Sequence, residues 1–141
     1  MRALGVDLGA KRIGVALSDS GGRVATPYEV ITRSGDAVRD RRVLVSLADE
    51  VGAEVIVVGL PLSLDGSVGP AARAALAEAD ALRAAARVPV ETYDERLTTV
   101  TAERSLQTLE LRGKARRRVV DKVAAAVLLQ AWLDRQGHGQ G

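Results

Sequence analysis

Three acidic residues of this chain stand where acidic residues are costly. Asp7 lies inside Leu4-Gly-Val-Asp-Leu8, where a period of two puts Leu4, Val6 and Leu8 on one face and Gly5 and Asp7 on the other. Glu95 follows Tyr93 and Asp94 at the expected end of a strand, and in α/β sheets that end faces the crevice where ligands bind. Asp121 precedes Ala124, Ala125 and Leu128 at helical spacing, so it falls on a face that is otherwise apolar. An unpaired carboxylate buried in such surroundings costs several kcal/mol, on the order of 2–7 for a polar group and more for a charge. Each has a plain resolution: Asp7 hydrogen-bonding its own turn, Asp94 or Glu95 pairing with Arg96 or facing a helix N-terminus, Asp121 pairing with an arginine. Taken together, they form an oxygen-rich set suited to hard divalent cations, Mg²⁺ or Mn²⁺. Two such ions about 3.5–4 Å apart activate water and stabilise the leaving oxygen in phosphodiester hydrolysis.

Composition narrows the chemistry further. The chain has 141 residues, no cysteine and one histidine, His138, in a glycine-rich C-terminal stretch. Thiolate nucleophiles, disulfides, zinc–thiolate sites and histidine catalysis are thereby removed or disfavoured. Tyr28, Tyr93 and Trp132 are the only aromatic residues, so stacking platforms for bases are not expected and a nucleic acid would be held through backbone or shape. The net charge is only +2, although the pI is about 9.4 and the basic residues cluster. No apolar run approaches the ~20 residues of a membrane span, and the chain opens directly on a strand. A cytoplasmic protein without membrane contact is expected.

The elements that must position these carboxylates follow from periodicity. The Gly9-Ala-Lys-Arg12 turn reverses the first strand into Ile13, Val15 and Leu17, with the small Gly14 and Ala16 between them, so small residues surround Asp7. Arg23 to Thr32 reads as a third strand, with Pro27 early in it. A first helix is expected from an N-cap near Asp36 to Gly52, and Glu54 to Val58 is a β-branched run of the kind covered on both faces. Gly59 to Pro70 reads as a loop, followed by an alanine-rich helix over 71–86 and a strand over 88–93. A third helix is expected from Thr98 or Thr99 to Leu111, then a basic connection and a last helix over 117–135. The expected architecture is a mixed five-stranded α/β sheet, three antiparallel strands and then α-β units, flanked by helices. One domain over 1–136 with a mobile tail over 137–141 is expected.

At these residues the chain resembles the YqgF/RuvX family, pre-16S rRNA nucleases of the RNase H-like superfamily. The resemblance spans nearly the whole chain and rests on the order and spacing of four motifs: Gly5-Val-Asp-Leu-Gly9 with Arg12-Ile-Gly-Val-Ala16, Gly59-Leu-Pro-Leu62 with Asp65-Gly66, Asp94-Glu-Arg-Leu-Thr-Thr99, and Arg116-Arg-Arg-Val-Val-Asp-Lys122. It implies an RNase H-like fold and places the family's acidic triad on Asp7, Glu95 and Asp121, as catalytic residues and metal ligands. It implies hydrolysis of precursor ribosomal RNA, or alternatively resolution of branched DNA junctions. Ser63 departs from the asparagine that many relatives carry, and relatives with disulfide-linked dimers are no guide to a chain without cysteine; a homodimer stays open.

The remaining motifs suit a polyanion. Lys114, Arg116, Arg117 and Arg118, with Arg112, crowd the stretch before Asp121, either as phosphate contacts or as a solvated charge run. Arg12 and Arg96 either orient a phosphate or pair with acids. The loop with Gly59, Ser63, Asp65 and Gly66 either offers backbone N–H groups to a phosphate or is a turn that needs glycine. Two further readings compete. A nucleotide-binding protein of the actin and sugar-kinase type shares the Asp7-Leu-Gly9 turn but needs two such domains, and a non-catalytic RNA-binding ribosome-assembly factor has no use for Asp121 on an apolar face.

Overall fold

The computed structural model describes residues 1–98 and 114–139, without the side chains of 114–119 and 138–139. The helix expected to end at Leu111, and Arg112, lie outside the described residues. Strands β1 (Ala3–Leu8), β2 (Arg12–Ser18) and β3 (Ala25–Thr32) are followed by helix α1 (Ala37–Val51), β4 (Val55–Leu60), α2 (Pro70–Ala85), β5 (Val90–Asp94), a single 3₁₀ turn (Glu95–Leu97) and helix α3 (Lys114–Gly139). The sheet order is β3-β2-β1-β4-β5. β1 pairs antiparallel with β2, β2 antiparallel with β3, and β4 lies parallel to both β1 and β5.

The alternation of side chains divides the core in two. Leu4, Val6, Ile13, Val15, Ile56 and Val58 meet Leu44 and Leu47 of α1 and Ala79 and Leu82 of α2 on one face. On the other, Ala3, Ala16, Val55 and Val57 meet Ala125, Leu129, Trp132 and Leu133 of α3. Val55 to Val58 are therefore buried from both sides, as an unbroken β-branched run requires.

Local signals set the helix limits. The Asp36 carboxylate accepts from the backbone N–H of Val38 and Arg39 and starts α1, and Gly52 stops it at φ 70°, a left-handed conformation that glycine adopts without steric cost. Most element ends differ from expectation by one or two residues, and two of the differences bear on the site. β4 continues through Gly59 and Leu60, which pair with Tyr93 and Asp94 of β5, so Gly59 belongs to the strand and not to the loop. The last helix already contains Lys114 and Arg116 to Arg118 and runs to Gly139. Lysine, arginine and alanine are good helix formers, so a basic stretch read as a connection extends the helix instead.

Candidate active site

Asp7 occupies the centre of the sheet with only 5% of its surface exposed. It is paired across the antiparallel ladder with Gly14. In the parallel ladder Val6 is beside Val58, which sets Gly59 next to Asp7 one step further along. The aspartate thus has a glycine on each side, at the roughly 4.8 Å spacing of neighbouring strands.

Both glycines are required by what lies above them. A Cβ on Gly14 would run into the carbonyl oxygen of Asp121, and one on Gly59 would stand 2.8 Å from Glu95 Oε1 and 2.9 Å from Leu128 Cδ2. Gly5, on the same face, would clash with Leu129 Cβ at 2.8 Å. These distances are below van der Waals contact, so the glycines form a track on which α3 is seated directly. Asp121 is brought over one neighbour of Asp7 and the Glu95 carboxylate over the other. All three acidic residues therefore share one face of the sheet, although they come from β1, the turn after β5, and α3.

Arginines complete the charge distribution. Arg12 Nε lies 2.6 Å from Asp121 Oδ2, with 23% and 15% of the two side chains exposed, so one of the expected acid–arginine pairings is formed. Arg96 pairs with Asp94, its Nη2 at 2.8 Å from Oδ2, and hydrogen bonding from that guanidinium holds the Asp94 carboxyl below its ordinary range. Arg96 Nη1 also donates to the Leu64 carbonyl at 3.4 Å. Asp94 caps the 3₁₀ turn by accepting from the Arg96 N–H, which fixes the direction in which Glu95 leaves the strand.

The loop between β4 and α2 uses its own amides. Gly66 N–H donates to Ser63 O, Ser63 N–H to Ser67 O, and Ser67 N–H to Asp65 Oδ1. Hydrogen bonds from Ser67 hold Asp65 below its usual carboxylate range. Lys114, Arg116, Arg117 and Arg118 form the first turns of α3, leading into Asp121, and their side chains are outside the description.

Fit to a divalent cation is mixed. The donor chemistry suits a hard ion and the glycine-flanked row brings the donors to one face. Among the described residues, however, no three acidic or histidine side chains are gathered tightly enough to hold an ion, and Asp121 is turned to Arg12. The residues fit an ion in kind and share one face, but they are not drawn together around one point, and the positive charge beside Asp121 is the Arg12 guanidinium. Sequence reasoning missed the parts of Gly14 and Gly59. The signal was the small residues flanking Asp7, read there as room for a ligand, whereas Gly14 and Gly59 are used for the approach of α3 and Glu95.

A five-stranded mixed sheet in this order, flanked by helices, is an RNase H-like α/β fold. It superposes on T. thermophilus RuvC in complex with Holliday junction substrate with a TM-score of 0.58, 19% identity and 97% of both chains covered. The chain itself belongs to the RuvX family, described as Holliday junction resolvase, which matches residues 1–135. It is 47% identical over 136 residues to a protein of Mycobacterium sp. (strain KMS), covering 96% of this chain and 80% of the relative. It is 42% identical over 140 residues to one of Desulforudis audaxviator (strain MP104C), covering 99% of each. Both relatives carry the name "Putative pre-16S rRNA nuclease". Among the described residues no helix is long and apolar enough to cross a membrane.

Proposed function

We propose that this protein is a divalent-metal-dependent nuclease that hydrolyses phosphodiester bonds in RNA, trimming precursor 16S ribosomal RNA in the cytoplasm. The observation that carries the reading is the glycine-flanked row, which gathers carboxylates from three distant segments onto one face. Family membership and the names of the relatives support it. Asp7, Glu95 and Asp121 would hold Mg²⁺ or Mn²⁺, which supplies an activated water and neutralises the leaving oxygen. The chain's own residues do the rest. Arg12 keeps Asp121 paired in the metal-free protein, Arg96 and Asp94 fix the turn that aims Glu95, and the basic start of α3 meets the phosphate backbone beside Asp121.

A second reading, resolution of branched DNA junctions, is favoured by the family's description and uses the same residues. Purified protein with Mg²⁺ or Mn²⁺ and matched RNA, duplex DNA and four-way junction substrates separates the two. Cleavage of RNA is expected, lost by orders of magnitude in Asp7→Asn, Glu95→Gln and Asp121→Asn while RNA binding persists. Cleavage confined to the junction would support the second reading, and binding without cleavage of any substrate would make the protein an assembly factor.

A further inference from the structure

The loop between β4 and α2 carries an apolar residue that contributes nothing to the fold. Leu64 is 96% exposed at the tip of a tight turn, a place where polar residues are the rule. It is not isolated: Val68 on the same loop and Leu97 in the 3₁₀ turn are 45% and 54% exposed, and Arg96 joins the two segments.

The tip is held firmly. The Gly66 N–H closes the turn on Ser63 O at 2.8 Å, the Ser63 N–H donates to Ser67 O at 3.0 Å, and the Leu64 carbonyl accepts from Arg96 Nη1. Gly66, at φ 88°, lets the guanidinium come so near that a Cβ there would lie 3.2 Å from Nη1. Arg96 is itself fixed by Asp94, and the next residue back, Glu95, places its carboxylate over Gly59. A fully exposed leucine is thus fixed to the acidic row through one arginine. Because the turn is already ordered, little freedom is lost when something packs against it.

We propose that Leu64 is a wedge against which an unpaired nucleobase of the substrate packs, with the Arg96 guanidinium beside it, so that the protein selects substrates with a single-stranded segment at the cleavage site. The inference rests on the nucleic-acid reading given above. Aliphatic side chains inserted at base steps separate neighbouring bases, and arginine planes lie against the bases that are released. With only three aromatic residues in the chain, a leucine wedge takes the place of a stacking platform.

The test uses the full-length protein without metal, so that binding is read independently of cleavage. Two fluorescent RNA hairpins are compared, one blunt and one with a single-stranded overhang carrying 2-aminopurine. Leu64→Ala is expected to weaken binding to the overhang hairpin on the order of tenfold, to leave the blunt hairpin unchanged, and to abolish the rise in 2-aminopurine fluorescence that accompanies unstacking. Leu64→Met should restore both signals. The slope of affinity against salt should not change, because no phosphate contact is removed. An alanine variant that binds the overhang hairpin like the parent overturns the wedge and leaves the tip for a protein partner. Equal loss on both hairpins also overturns it, and a parent protein that binds neither probe overturns the nucleic-acid reading itself.

Discussion

Replacing Arg12 by alanine tests how Asp121 is used. Arg12 and Asp121 approach to 2.6 Å with 23% and 15% of their side chains exposed. Exposed pairs are worth about 0.2–1 kcal/mol, whereas breaking a fully buried pair costs about 3–5 kcal/mol, so this half-sheltered one should cost about 1–3 kcal/mol. In a chain of this size that is a fall in Tm of about 3–10 °C, measured in EDTA. Asp121→Asn should fall by a similar amount, and the double variant by less than the sum, because the two single changes remove one interaction. Metal then separates the roles. If Asp121 is a ligand, the parent must break the ion pair to bind an ion, and Arg12→Ala need not. The Arg12→Ala protein should therefore bind Mg²⁺ about 5- to 150-fold more tightly than the parent, by conversion of the same 1–3 kcal/mol, and recover most of its lost Tm on titration. Asp121→Asn should gain the least. Equal metal-induced shifts in all three proteins would refute the reasoning and make Asp121 a structural partner of Arg12.

Gly59→Ala should lower cleavage by orders of magnitude, because its Cβ displaces Glu95 Oε1, while costing stability only about 1–3 kcal/mol; comparing turnover with urea melts checks the split. Replacing Arg116, Arg117 and Arg118 with alanine should weaken RNA binding and reduce the slope of log affinity against log salt by about 2, at roughly 0.7 per phosphate contact on a single strand. Unchanged affinity and slope would return these residues to solvated surface. Arg96→Gln should lower stability at neutral pH, and the difference should vanish once pH falls through the depressed range of Asp94. The Arg96 guanidinium depresses the Asp94 carboxyl below its ordinary value of 3.8, so the stabilisation is present above that value and lost as pH falls through the depressed one. Thermal melts across pH 2–7 would show the two curves converging at the acid end.

Features confined to one element were legible in the sequence. The alternation around Asp7 and the helical spacing from Asp121 to Leu128 each reveal a carboxylate on an apolar background, and both residues lie on the α3 face of the sheet. The Asp36 cap and the Gly52 stop were equally local. What depended on pairing between distant segments was not legible. The hairpin that sets Gly14 beside Asp7 is local and legible, whereas Gly59 reaches the other side only through the β1–β4 register, of which its position in the sequence carries no trace. The Arg12–Asp121 bond joins residues 109 positions apart. The basic stretch before Asp121 reads as a connection because of its charge, but charge does not distinguish a loop from a helix, and lysine, arginine and alanine are good helix formers.

The seat of α3 on its glycine track also bears on how the protein comes into being. Synthesis proceeds from the N-terminus, and all five strands are made before α3 begins. Until that helix docks, Ala3, Ala16, Val55 and Val57 lack the cover of Ala125, Leu129 and Trp132, and the backbone of Asp121 is absent from above Gly14. Contacts this distant in sequence form late and slowly. Pulsed hydrogen exchange during refolding should find α3 protected no earlier than β1. The sheet therefore carries Asp7 before Asp121 can reach its place above Gly14, and the row of acidic residues is complete only once α3 has folded back onto the strands.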